Sequence, residues 1–197
     1  LGIAIIYQEF NLAPHLSAAA NIFIGREPHS KFFKFIDNRR IKREAQAIIR
    51  ELGVDIDVSR LVRDLNVAQQ QSTEIAKALS INADLIIMDE PTSALAEAEV
   101  TTLFEVIRRL NAKGITFIYI SHNLEEVFEI SDRISVLRDG QLIGTNETAK
   151  LSPREVIRMM VGRTLDDMFP KPKVEIGGPL LEVKNLSRKG AIRDVSF

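Results

Sequence analysis

Leu85-Ile86-Ile87-Met88-Asp89-Glu90-Pro91-Thr92-Ser93-Ala94 decides the fold. Four apolar residues in a row are too few for a helix and read as a strand buried on both faces. The strand ends in two adjacent carboxylates and a proline. A carboxylate at the carboxyl end of a parallel strand stands where open α/β sheets bind their ligands. Asp89 is thereby placed to hold Mg²⁺, directly or through water, and Glu90 to orient or deprotonate a water. An acidic loop after any core strand carries the same pair, so the neighbouring segments have to decide between the two readings.

Downstream, Ile115-Thr116-Phe117-Ile118-Tyr119-Ile120 reads as a second strand that ends at Ser121-His122. Between the two strands, Glu97 to Ala112 reads as a helix, with Val100, Leu103, Phe104, Ile107 and Leu110 on one stripe and Gly114 just past its end. The unit is βαβ, so both strands run parallel and bring their carboxyl ends to one edge. That puts His122 near Glu90, where it is a candidate for contact with a γ-phosphate; a lone His after a strand is otherwise a surface residue. Upstream, Asn66 caps a helix running to about Leu79, and Gln69 completes a capping-box pair. The free N–H groups at such a start suit an anion, although an ordinary capped helix has the same letters. Farther upstream, Ile3-Ala4-Ile5-Ile6-Tyr7 reads as a strand ending in Gln8, whose amide can reach a metal or a water.

In this order the pieces resemble an ABC-type ATPase cassette. Tyr7-Gln8-Glu9-Phe10 is similar to the glutamine loop of that family. Leu65 to Gln69 resembles its signature sequence (Leu-Ser-x-Gly-Gln), and Leu85 to Pro91 its Walker B strand with the catalytic glutamate. Ser93 to Ala96 falls at the D-loop and His122 at the switch histidine. "YQEFNLAPHLS", "NIFIGREP", Gln69-Gln70-Gln71 and "EIAKALS" are similar to the ATP-binding subunits of simple-sugar importers of the ribose, galactose or xylose type. The resemblance implies an α/β, P-loop NTPase-like cassette with a parallel-sheet core and a helical signature subdomain. It also implies ATP and Mg²⁺ as cofactors. Glu90, His122 and Gln8 would be catalytic, Asp89 and Gln8 would serve the metal, and Asn66, Val67, Ala68, Gln69, Ser93 and Ala96 would face the ATP of an opposing cassette. On this reading the acidic strand tip, the histidine tip and the capped helix converge around one triphosphate. The implied partners are transmembrane permease subunits, a second cassette in tandem or as a dimer, and indirectly a sugar-binding protein. The implied location is peripheral, on the cytoplasmic face of the inner membrane.

Two residues depart from the family pattern. Asn66 stands where the signature has serine; it still caps a helix, but a larger amide replaces a hydroxyl aimed at a γ-phosphate. Ala96 ends the D-loop with neither the charge nor the hydroxyl usual there. No stretch matches the phosphate-cradling G-x-x-x-x-G-K-[ST] pattern. In cassettes of this family that loop precedes the glutamine loop, and the chain opens at Leu1 rather than Met. A fragment cut after the loop is therefore expected, inactive when isolated. Hydrogen bonds to charged groups contribute roughly 1.5–3 kcal/mol each, so losing three would remove about 4–9 kcal/mol of nucleotide binding.

The expected organisation is 1–162 as the C-terminal part of a first cassette, with a helical subdomain over about 11–80, a linker over 163–179, and 180–197 as the opening strands of a second cassette. Within the subdomain, Ser17 caps a helix through Ile24, and Asn38 caps another that carries Ile41, Ala45, Ile48, Ile49 and Leu52 and stops at Gly53. Lys31-Phe32-Phe33-Lys34-Phe35 reads either as part of a small core or as a docking patch for the permease. Beyond His122 come a helix (Leu124 to about Ile130), a strand from Arg133 to Arg138, an Asp139-Gly140 hairpin turn, and a helix starting at Ser152-Pro153-Arg154-Glu155 and ending at Gly162. Pro179 to Ser187 is strand-like.

Composition limits the alternatives. The chain has 197 residues, 45% of them hydrophobic, enough for one substantial core and a small appendage. A net charge of −1 and the lack of a basic, aromatic-interleaved run argue against nucleic acid as a partner. With no cysteine there is neither a disulfide nor thiol catalysis. No apolar stretch approaches the ~18 residues of a membrane span. Two other classes remain: a non-transport ABC protein acting on DNA or the ribosome, and a truncated product that is no enzyme and at most binds the permease. The interval 9–64 lacks the sustained heptads of a long coiled coil, and the linker is Pro/Gly-rich rather than long and charged, which disfavours the first of these.

Overall fold

The computed structural model describes residues 2–30, 35–162, 178 and 181–197. Three short strands make the central sheet: β1 (Ile3–Ile6), β2 (Leu85–Asp89) and β3 (Thr116–Ile120), in the order β1-β2-β3 and all parallel. Met88 sits beside Ile6 on one side and Tyr119 on the other, and Asp89 beside Ile120. The carboxyl ends of all three strands therefore share one edge, as the βαβ reading requires.

Burial along β2 alternates. Ile86 and Met88 are fully buried, whereas Leu85 and Ile87 are only half-buried, and on that same face Ile3, Ile5, Ile118 and Ile120 are exposed. This corrects the expectation of a strand buried on both faces: the helices of the main core cover one side of the sheet, so side chains of one parity are buried and those of the other are not.

Helices α1 (Ala18–Ile22), α2 (Asn38–Leu52) and α3 (Val67–Leu79) pack on one another, and α4 (Glu97–Asn111) joins β2 to β3. Ser17 caps α1 as expected, through Oγ and the Ala20 N–H at 3.2 Å. The helix ends at Ile22 rather than Ile24 because the Arg26 guanidinium takes the Ile22 carbonyl at 2.9 Å and the chain turns at Phe23. Asp37, not Asn38, caps α2: its Oδ1 accepts from the Arg40 N–H at 3.0 Å, and Asn38 is the first helical residue. The stop at Gly53 is as read, with a left-handed φ of 73°. A Cβ there would run into the Arg109 guanidinium, which reaches across from α4 to the Leu52 carbonyl at 2.6 Å, so both the turn and the close approach require glycine.

A buried amide holds the loop after Gln8 in place. Asn21 is 0% exposed; its Oδ1 accepts from the Ala13 N–H at 2.7 Å, and its Nδ2 donates to the carbonyls of Ala13 at 3.1 Å and Ser17 at 3.0 Å. Every polar atom of that side chain is thereby satisfied, which makes its burial tolerable.

Beyond His122 the elements are α5 (Leu124–Ile130), β4 (Arg133–Arg138), β5 (Gln141–Glu147) and α6 (Pro153–Val161). They enclose a second, small core of Ile134, Val136 and Val156. Asp139 and Gly140 both take positive φ, 52° and 75°, the backbone of a two-residue hairpin turn. The start of α6 is a full capping box between Ser152 and Glu155 with Pro153 in the first turn, and Gly162 ends it. Near the C-terminus only Leu186–Arg188 (β6) and Ile192–Val195 (β7) are strands, an antiparallel pair, so the strand-like reading from Pro179 is too long among the described residues. Val183 and Phe197 still exchange two backbone hydrogen bonds, at 2.8 and 3.0 Å. Lys31, Phe32, Phe33 and Lys34, and nearly all of the linker expected over 163–179, lie outside the described residues.

Candidate functional site

The three strand tips deliver three side chains to one place. His122 Nδ1 lies 3.0 Å from Glu90 Oε1, and Gln8 Nε2 donates to Glu90 Oε2 at 3.3 Å. Glu90 follows β2, His122 follows β3 and Gln8 follows β1, so the parallel register is what brings them together. The Glu90 backbone is unusual: φ is 45°, in the left-handed region that non-glycine residues rarely occupy. It is held there by its own N–H, which donates to Ile120 O at 2.9 Å and extends the β2–β3 ladder by one rung, and by its carbonyl, which accepts from the Ser93 N–H at 3.2 Å. The turn sends the carboxylate sideways between the glutamine and the histidine.

Asp89 is the last residue of β2 and shares its parity with Leu85 and Ile87. With Tyr7, Gln8, Glu9 and Asn11 it lines an open cavity of about 350 Å³ beside the strand tips. The donors there suit a small hard cation: a carboxylate from Asp89, and from Gln8 an amide oxygen, its nitrogen being turned to Glu90. Among the described residues no group of three His, Cys, Asp or Glu side chains gathers to form a complete protein-only metal site. Two oxygens beside an open cavity match the way Mg²⁺ is held, through few carboxylates plus phosphate and water.

The capped helix makes its own set of hydrogen bonds. Its box is complete: Asn66 Oδ1 accepts from the Gln69 N–H at 2.8 Å, and Gln69 Oε1 accepts from the Asn66 N–H at 3.3 Å. Ala68 lines a small cavity together with Leu95, which precedes α4, and Glu99 in its first turn. Among the described residues, no hydrogen bond or ion pair ties Asn66, Val67, Ala68 or Gln69 to Gln8, Glu90 or His122. Ser93 and Ala96 lie in the turn between β2 and α4, and the Ala96 N–H donates to Glu99 Oε2 at 2.9 Å. Two of the three expected places therefore meet in this chain, and among the described residues the third shares no hydrogen bond or ion pair with them.

A further carboxylate beside the pair escaped sequence reasoning. Glu126, in the first turns of α5, accepts on Oε2 from Tyr119 Oη at 2.7 Å, Thr92 Oγ1 at 2.8 Å and Ser121 Oγ at 3.3 Å, and on Oε1 from Asn123 Nδ2 at 3.0 Å. Burial, and then this contact, push the Tyr119 phenol well above its usual range. The one signal in the sequence is position: Glu126 lies one helical turn beyond His122.

Residues 1–93 match the ABC transporter family model. A ribose import ATP-binding protein of Rubrobacter xylanophilus is 50% identical over 197 residues, which is 100% of this chain and 39% of that protein. A protein of Rhizobium meliloti named for ribose, galactose and methyl galactoside import is 50% identical over 196 residues, 38% of its length. The chain thus spans well under half the length of these relatives. Among solved structures, the ADP conformation of an ATP-binding cassette of an ABC transporter superposes with a TM-score of 0.66 at 27% identity, covering 82% of this chain and 69% of that one. A dimeric post-hydrolysis cassette bound to ADP and phosphate gives 0.61 at 24% identity, covering 74% and 62%, a likeness of fold.

Proposed function

This chain belongs to the ABC transporter ATP-binding family, and from that premise we propose that it is part of the ATP-hydrolysing subunit of a simple-sugar importer. The observation that carries the proposal is the Glu90 carboxylate held between Gln8 and His122 at the tips of three parallel strands. The names of the curated relatives supply the transport role and the class of sugar.

In this reading Glu90 orients the attacking water and takes its proton, and His122 contacts the γ-phosphate. Asp89 and Gln8 supply the two oxygens for Mg²⁺, which when bound neutralises phosphate charge. In-line phosphoryl transfer depends mainly on such positioning and neutralisation. Asn66 to Gln69, with Ser93 and Ala96, serve the nucleotide of a second cassette; that role fits a capped helix start that, among the described residues, makes no hydrogen bond or ion pair to the Glu90 cluster of its own chain. Closure of the two cassettes on ATP drives transmembrane permease subunits, and a separate sugar-binding protein delivers the cargo. The subunit is held by its permease at the cytoplasmic face of the membrane; among the described residues no helix is long and apolar enough to cross it.

The test uses the full-length protein assembled with the permease. Glu90→Gln is expected to retain ATP binding and to lower phosphate release by about a hundredfold or more, the scale of removing a group used only in the transition state. Disruption of the gene is expected to abolish uptake of a ribose- or galactose-type sugar. Equal phosphate release by the Glu90→Gln protein would overturn the hydrolytic role, and unaffected sugar uptake would overturn the transport role.

A further inference from the structure

We propose that Glu126 is a positioning residue that sets the catalytic geometry of His122 and Glu90 by tying the loops around them to β3. The inference rests on the reading of Glu90 and His122 as the hydrolytic pair.

The four hydrogen bonds of Glu126 come from three different parts of the chain. Thr92 lies two residues past Glu90, Ser121 and Asn123 flank His122, and Tyr119 is in the body of β3. Ser121 Oγ also accepts from the Asn123 N–H at 3.0 Å, and Asn123 Oδ1 caps α5 through the Glu125 N–H at 3.0 Å, so the histidine loop is pinned on both sides of the exposed imidazole. His122 itself has little to hold it: its side chain is 77% exposed, and its one polar contact among the described residues is Glu90. An imidazole in that state keeps its aim only as well as its backbone does. Tyr119 supplies the fixed end, because its ring packs edge-on against Phe104 of α4 with centroids 6.0 Å apart and Phe104 is in the main core. The line from core to imidazole runs Phe104, Tyr119, Glu126, then Ser121 and Asn123. A branch through Thr92 reaches the turn that holds Glu90 in its left-handed conformation.

Chemistry favours a carboxylate at this point. All four partners donate, and an ionised carboxyl group is acceptor-only with room for them. What matters here is acceptor oxygens at fixed positions. Proton transfer is not part of the role, because Glu126 touches neither Gln8 nor Glu90. A glutamine keeps one oxygen where Tyr119 and Thr92 point, and Asn123 can meet its amide by rotation. Alanine removes everything.

The experiment compares Glu126→Ala and Glu126→Gln in the complete protein, each alone and in a His122→Ala background. Glu126→Ala is expected to lower kcat for ATP by about tenfold or more with the KM for ATP changed less than about threefold, and Glu126→Gln to recover most of the loss. In the His122→Ala background the further loss from Glu126→Ala is expected to shrink to the part carried by the Thr92 branch to Glu90, about threefold or less, because residues that act as a unit are not additive. An unchanged kcat in Glu126→Ala would overturn the proposal, as would a full additional loss in the double variant or a Glu126→Gln protein as impaired as Glu126→Ala. A second arm needs no turnover: amide hydrogen exchange over 121–124 and 92–95 is expected to speed up by about tenfold in Glu126→Ala, about 1.4 kcal/mol of local opening. If the unsubstituted protein does not hydrolyse ATP, the hydrolase reading fails by itself. The exchange arm then decides: faster exchange supports Glu126 as the tie, and unchanged exchange overturns it.

Discussion

The Glu90 carboxylate accepts Gln8 on one oxygen while its other oxygen lies 3.0 Å from His122 Nδ1, although Glu90 and His122 are 32 residues apart and Glu90 and Gln8 are 82 apart. No local motif produces that. Three parallel strands in register do, and the left-handed turn at Glu90 then swings the carboxylate between its neighbours. The cluster exists because the sheet exists, so its chemistry and the stability of the fold can be separated by substituting exposed members.

His122→Ala should do so cleanly. The pair it breaks is mostly exposed, and such contacts are worth about 0–1 kcal/mol. Thermal or urea unfolding is therefore expected to move by no more than that. In the complete protein, kcat for ATP should fall by about a hundredfold with ATP binding largely kept. A large loss of stability would mean that the histidine loop has a structural role not visible in its contacts.

Asn66 tests the signature departure. Asn66→Ala removes the acceptor for the Gln69 N–H and should cost about 1 kcal/mol in urea unfolding. Asn66→Ser restores a small hydroxyl and keeps a good cap, so stability should hold within about 0.5 kcal/mol. If the bulk of the asparagine amide handicaps the composite site, ATP turnover of the complete Asn66→Ser protein should rise. Unchanged or lower turnover would show that Asn66 is no handicap.

These relationships were legible in the sequence to different degrees, for physical reasons. Asn66, Gln69, Ser152, Pro153 and Glu155 act within one helical turn, so their letters alone specify the bonds they make. The Asp139-Gly140 turn and the strand tips at Asp89 and Ile120 are equally local. Choosing between Asp37 and Asn38 as a cap was beyond letters, since both side chains can accept and only backbone geometry selects Asp37. One-sided burial of β2 was illegible because Leu85 to Met88 are apolar at every position; which face the helices cover is a tertiary fact. Glu126 was hidden because Thr92 is 34 residues away in sequence, and nothing in Glu125-Glu126 says which of the two points inward.

Glu74 gives a pH prediction. Its side chain is nearly buried on α3, and Oε1 lacks a hydrogen-bond partner among the described residues. Burial pushes its carboxyl above the usual range, opposed by Lys77, whose Nζ is 3.9 Å away, and by the Asn11 backbone. With the folded pKa above the unfolded one, the native state binds more protons between the two values. Stability therefore falls as pH rises from about 4.5, the ordinary carboxyl value, through the raised one, and is flat above it. Glu74→Gln should remove that part of the slope in urea titrations run from pH 4.5 to 8. A slope unchanged by the substitution would place the titrating group elsewhere.

The two faces of the sheet should respond differently to truncation. Ile86 is fully buried against the main core, so Ile86→Ala leaves a cavity and is expected to cost about 2–5 kcal/mol in urea unfolding of the 197-residue chain. Ile118 lies on the opposite face and is 46% exposed, so Ile118→Ala should cost under about 1 kcal/mol in the same chain. Repeating the pair in the complete protein asks whether further sequence packs on that face. A rise in the cost of Ile118→Ala toward that of Ile86→Ala would show that it does, because the penalty for truncating an apolar side chain tracks the contacts it makes. A cost that stays low in both would leave the Ile3, Ile5, Ile118 and Ile120 face open to solvent in the working protein.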